Sequence, residues 1–401
     1  MPKPVNDQAA IALSIAQGLI RCPSVTPEEG GALSHLQGLL EPAGFACHRL
    51  TMRASDSPTE PAHATPDVEN LYARLGSGRP HLCFAGHTDV VPPGDQSAWS
   101  HPPFAAEIVD GVLYGRGAVD MKGGIACFAA AALGYIRANG GLPRGSLSFL
   151  ITGDEEGPGV NGTPKVLQWM REHGETPDAC LVGEPTSSQA VGDEVKIGRR
   201  GSVTVELTVH GRQGHAAYGH LAENPVPKLA RMIDRLSATP LDAGTARFQP
   251  SSIEATVVEV PSRTSNVIPA WARALFSVRY NDLHTRDRVE AWVRGHCEAV
   301  ARELAARFTL SFSGTHEVFV TEPGPLADAV CRAVQSVTGR APALTTNGGA
   351  SDASFIHKCC PVVELGLINA TAHQVDERVP VADLATLTAI YGRLIESYLA
   401  P

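Results

Sequence analysis

Residues 146–157 read SLSFLITGDEEG, an apolar run that ends in three adjacent carboxylates, Asp154, Glu155 and Glu156, before a glycine. A short apolar run bounded by turn residues is the pattern of a strand buried on both faces, and such strands belong to sheets covered by helices. Like charges crowded at the end of a core strand repel one another unless cations or protons relieve them. The plain alternative is a helix N-terminus collecting acids.

Working outward, HLCFAGH (81–87), ACLVGE (179–184) and PVVELG (361–366) read as further buried strands. Helical patterns cover GGIACFAAAALGYIRANGG, from about Ile125 to a stop at Asn139-Gly140-Gly141, and VADLATLTAIYGRLIESYL. Strands alternating with helices predict an α/β fold. From Gly201 the texture changes to SVTVELTVHG, SIEATVVEV and ARALFSVRY, two-faced strands interleaved with the helical stretches PVPKLARMIDRLSA and RDRVEAWVRGHCEAVARELAA. This predicts a small α+β domain. The buried texture returns after about Ser313, so the expected organisation is an α/β domain over 1–199 and 315–401 with an insertion over 200–314. The stretch RASDSPTEPAHATPD (53–67) is expected to be a surface loop.

A chain of 401 residues exceeds what one core usually organises, which agrees with two domains. Its net charge of -9 and the absence of a dense Lys/Arg block argue against nucleic acid or an anionic membrane as partner. An anionic substrate must then be caught by a few local cations. The start, MPKPVNDQAAIALSIAQGLIRC, lacks a basic region followed by a long apolar run, and a cytoplasmic protein is expected. The nine cysteines form no C-x-x-C pair and fall mostly in apolar segments, as reduced, buried thiols do. The doublet Cys359-Cys360 is expected to be packing.

Catalytic metal sites combine imidazole and carboxylate ligands, and a pair of ions needs a ligand that bridges them. Five positions offer these groups at strand ends or in the following loops. His87 closes its strand, and Asp89, two residues on, is placed to accept a hydrogen bond from its ring. Asp120 lies in the glycine-dense LYGRGAVDMKGG ahead of a helix, where a simple N-cap is the alternative. Glu155 and Glu156 can divide labour, one as ligand and the other as proton acceptor. Glu184 precedes a proline at a strand end, and His373 occupies the polar loop NATAHQVDERV.

GHTDVVPPG, LYGRGAVDMKGG, ITGDEEG, VGEPTS, GRRGS, GRQGHAAYGHLAENP, NVIP and NATAHQVDE, in this order, resemble the successive signatures of the dinuclear zinc aminoacylase and carboxypeptidase family. The resemblance runs from about residue 8 to the C-terminus. It implies a zinc-hydrolase catalytic domain with helices on both faces of a central sheet and an inserted, ferredoxin-like dimerisation (lid) domain. It implies two Zn2+, for which Co2+ or Mn2+ can substitute, one held by His87, Asp120 and Glu184 and the other by Asp120, Glu156 and His373. Glu155 is then the general base and later the proton donor to the leaving amine. His215 of the insertion is expected to reach a partner subunit's centre and stabilise the oxyanion there, with Asn266 arriving the same way, which makes the protein a homodimer.

The implied activity is hydrolysis of N-succinyl-LL-2,6-diaminopimelate to succinate and LL-2,6-diaminopimelate, a step of lysine and diaminopimelate biosynthesis. A related deacetylase, aminoacylase or metallo-carboxypeptidase activity is the alternative. A small substrate with several carboxylates calls for guanidinium groups, and Arg199 and Arg279 match positions the family uses for this. Tyr218, Ser202 and Asn369 are further polar candidates. In TTNGGASD (345–352) Gly348 and Gly349 allow close backbone approach to a ligand, whereas Ala350 and Asn347 depart from the family's TTGGTSD. That departure bears on the acyl group and leaves the metal chemistry alone.

Overall fold

The SLSFLIT run forms the strand Ser146–Thr152, all of it buried, inside an eight-stranded mixed sheet. The computed structural model describes residues 5–53, 66–142, 144–314 and 316–399. Residues 54–65 of the expected loop lie outside them. The chain divides into two compact units, one of residues 1–197, 321–345 and 351–401 and one of residues 198–320 and 346–350.

In the first unit the strands lie in the order Ala46–Met52, Val68–Leu75, Ser146–Thr152, His81–His87, Ala179–Val182, Val362–Glu364, Glu194–Lys196, Ala343–Thr345. The middle four, from Ser146–Thr152 to Val362–Glu364, run parallel. Their carboxyl ends therefore emerge on one edge, with His87 directly opposite Thr152.

Both faces of this sheet are covered, which is why its central strands are apolar throughout rather than alternating. On one face Phe84 and Phe149 meet Phe128 of the helix Lys122–Asn139, with ring centroids 4.4 and 5.4 Å apart. On the other, Tyr72 meets Trp169 of the helix Thr163–Glu172 at 5.7 Å. The helix Lys122–Asn139 ends at Gly140, φ 68°, as its sequence predicts, but starts three residues before Ile125. Its first turn is pressed onto the chain after a neighbouring strand: a Cβ on Gly124 would lie 2.5 Å from the Gly183 carbonyl oxygen. Glycine is what lets the helix begin there, two residues after Asp120.

The second unit is an antiparallel sheet in the order Ser252–Glu259, Trp271–Tyr280, Gly201–His210, Arg307–Ser313. Val203, Val205, Leu207 and Val209 share a core with Leu229 and Met232 of the helix Val226–Ala238 and with Val289 and Val293 of the helix Arg286–Leu304. The intervening residues of the same strand, such as Thr204 and Glu206, lie outside that core, so a strand of period two folds as an α+β layer. Among the described residues no helix is long and apolar enough to cross a membrane.

Candidate metal centre

His87 ends its strand with the ring buried. Its Nδ1 lies 2.9 Å from the backbone carbonyl of Asp89, and a proton donated there leaves Nε2 free to face the acids. Nε2 is 3.2 Å from Asp120 Oδ1, 3.6 Å from Glu184 Oε1 and 3.9 Å from Glu155 Oε2. The second oxygen of Asp120, Oδ2, is 3.2 Å from His373 Nε2, which in turn lies 2.7 Å from Glu156 Oε1. Asp120 thus stands between two imidazoles with one oxygen toward each. Donor atoms of His87, Asp120 and Glu184 fall within 4.8 Å of one another, as do those of Asp120, Glu156 and His373 and those of His87, Glu155 and Glu156.

Asp120 is not an N-cap, since Met121 holds that position, and the acids after Thr152 do not open a helix. They occupy a turn well before the next helix at Thr163. The three acids diverge there. Asp154 Oδ2 accepts the amides of Val160 and Asn161 at 2.9 and 2.8 Å and braces its own loop, while Glu155 and Glu156 turn to the cluster.

Asp89 corrects one expectation. Its carboxylate sits 3.7 Å from His87 Nδ1, and the ring's hydrogen bond goes to its backbone carbonyl instead. The carboxylate accepts the amides of Glu155 and Glu156 at 3.3 and 3.0 Å. Two N–H donors offered by the adjacent turn take up both oxygens, so Asp89 places the Glu155-Glu156 pair and orients His87 through its main chain.

The electrostatics follow from burial and crowding. Desolvation and the neighbouring Glu184 hold the Glu155 carboxyl well above the usual carboxylate range, despite His87. For Asp120 burial acts in the same direction, but hydrogen bonds from His373 and His87 overcome it and hold the carboxyl below its ordinary value. His373 is pushed up to about 10 by its hydrogen bonds to Asp120 and Glu156. Among the described residues Asp120, Glu155 and Glu156 have no lysine or arginine within ion-pair distance. A cluster of carboxylate oxygens and two imidazoles with excess negative charge is a donor set that fits divalent cations.

Asn369 is in the first unit, exposed at the start of a short 3-10 turn. In the second unit Arg199 Nη1 donates to the carbonyl of Gly349 at 3.3 Å, and a Cβ on Gly348, φ 102°, would meet the same nitrogen at 2.5 Å. Arg279 donates to Ser202, its cross-strand partner. His215, Tyr218 and Asn266 are exposed, and the Asn266 carbonyl accepts the Ala216 amide at 2.9 Å.

Two further groups escape the sequence reading. Asp352 is a buried carboxyl that accepts the Thr163 hydroxyl at 2.6 Å and is raised to about 7 by desolvation. Glu377 is fully buried against Arg116, with 2.7 Å between them. The signal for the second pair was faint: an acid and a base inside GRGAVD and HQVDE, motifs already read for their ligands.

The chain matches the Peptidase family M20/M25/M40 over residues 83–397. It is 56% identical to a protein of Rhodopseudomonas palustris (strain HaA2) named succinyl-diaminopimelate desuccinylase, over 97% of this chain and 99% of that relative. A protein of the same name from Bradyrhizobium sp. (strain BTAi1 / ATCC BAA-1182) is 54% identical, with the same coverage of 97% and 99%. Among solved structures, the di-peptidase Dug1p of Saccharomyces cerevisiae superposes with a TM-score of 0.79 at 18% identity, over 99% of this chain and 97% of that one. At that identity the likeness is one of fold.

Proposed function

The chain belongs to the Peptidase family M20/M25/M40, and from that membership we propose that it hydrolyses N-succinyl-LL-2,6-diaminopimelate to succinate and LL-2,6-diaminopimelate. It is a metal-dependent hydrolase acting on a small N-acylated amino acid. The observation that carries the proposal is Asp120 set between His87 and His373, one oxygen 3.2 Å from each, in a chain 56% identical to a named desuccinylase over nearly its whole length.

In the proposed site His87, Asp120 and Glu184 hold one divalent ion and Asp120, Glu156 and His373 the other, with zinc as the native metal and cobalt or manganese as substitutes. Bound there, the ions would act as Lewis acids toward the amide carbonyl and make water more acidic. Glu155, partly buried and with no lysine or arginine within ion-pair distance among the described residues, accepts a proton from the attacking water. As the C–N bond breaks it returns that proton to the amine. Asp89 keeps Glu155 in place through the two amides it binds. Arg199 and Arg279 meet the substrate carboxylates, with Ser202, Tyr218, Asn369 and the Gly348-Gly349 backbone completing the contacts. In a homodimer His215 and Asn266 of one copy serve the centre of the other, with His215 donating to the oxyanion.

The deciding experiment measures kcat/KM on N-succinyl-LL-2,6-diaminopimelate, N-acetylornithine and an unmodified dipeptide in parallel. Preference for the succinyl substrate by tenfold or more is expected, and preference for either competitor would replace this reading with deacetylase or peptidase activity.

A further inference from the structure

Asp120 and His373 are carried by loops far apart in the chain, and one buried ion pair joins those loops. Glu377 Oε1 accepts the amides of Val119 and Asp120 at 2.9 and 3.1 Å, and Oε2 accepts the Gly117 amide at 3.1 Å and Arg116 Nη1 at 2.7 Å. The Arg116 guanidinium lies 5.2 Å over the Trp99 ring and donates to the carbonyls of Gln374 and His373 at 3.2 and 3.4 Å.

The loop it holds is strained. His373 has φ 63° and Asp376 φ 58°, left-handed conformations that persist in non-glycine residues only where the surroundings impose them. Asp376 is pinned by the amide and hydroxyl of Ser100, both at 2.8 Å.

We propose that Arg116 and Glu377 are positioning residues for the metal subsite formed by Asp120, Glu156 and His373, locking the backbone of one ligand loop to that of the other. A buried ion pair is by itself weak evidence of stabilisation, because desolvation offsets the attraction. What distinguishes this one is where its bonds end. Apart from the contact between the partners, every side-chain hydrogen bond of the pair goes to the backbone of residues 117–120 or 373–374.

The geometry also makes the effect selective. Of the ligand-bearing loops, the Arg116 side chain donates only to that of His373, and His373 belongs only to the set with Glu156. Glu377 holds the amide of Asp120, which belongs to both sets.

This inference rests on the two-ion reading above, and its test separates the two. Metal-free full-length protein, Arg116→Lys and Glu377→Gln are titrated with Co2+, followed by calorimetry and by the visible bands of the bound ion. The lysine variant keeps the charge against Glu377 but loses the fork to the carbonyls. It is expected to bind one equivalent within about threefold of wild type and the other tenfold or more weakly, with an unchanged far-ultraviolet circular dichroism spectrum. Glu377→Gln is expected to weaken both. A folded lysine variant that binds both equivalents as wild type does, or that weakens both alike, overturns the proposal. Wild-type protein that takes up fewer than two equivalents removes its premise, whatever the variants do.

Discussion

At the scale of single residues, the chemistry turns on a distinction between neighbours. Asp154, Glu155 and Glu156 are alike in sequence, yet Asp154 is consumed by amides of its own loop, Glu156 by His373, and Glu155 stands partly buried beside His87. A carboxylate at the cluster that no lysine or arginine engages among the described residues is placed to take a proton and return it. Glu155→Gln is therefore expected to lower kcat by about 10²–10⁴-fold while metal analysis still finds two ions per chain. Near-normal turnover would reassign the base.

Elements set where those residues can be. The helix after Asp120 begins against the strand-end backbone only because Gly124 carries no side chain. Gly124→Ala is expected to destabilise the fold by about 1–3 kcal/mol in denaturant unfolding, since the obstructing atom is a backbone carbonyl that cannot rotate aside. At the opposite end of the sheet His81 is buried between Ser148, 2.8 Å from Nε2, and the Thr176 carbonyl, 3.3 Å from Nδ1.

Desolvation and Arg74 lower the pKa of His81 to about 4 from 6.5. Between those values the unfolded chain binds the proton and the folded one does not, so this contribution to stability is whole above about pH 6.5 and shrinks as pH falls toward 4. A loss of about 2 kcal/mol between about pH 7 and 5 is expected from this group. Urea unfolding of wild type and His81→Gln at both pH values checks it, the variant showing the shallower dependence.

For the whole molecule, the proposed dimer gives a quantitative test. If His215 serves the partner's centre, inactive Glu155→Gln and inactive His215→Ala chains regain activity when mixed. Random pairing then yields one competent centre in each mixed dimer, or about a quarter of wild-type activity. Mixing that restores nothing, although light scattering confirms subunit exchange, would confine His215 to its own chain.

The sequence by itself determined the layered α/β class, the change of texture at the insertion and the identity of the donors. Each of these follows from local pattern: apolar runs of strand length, their period, and His, Asp or Glu placed where parallel strands end on one edge. Tertiary structure alone decided that Asp154 is held by the amides of its own loop, that the Asp89 carboxylate binds amides rather than the His87 ring, and that Arg116 pairs with Glu377 across 261 positions of chain. The direction of a side chain depends on the turn that carries it, and a buried charge is legible only once its distant partner is in place.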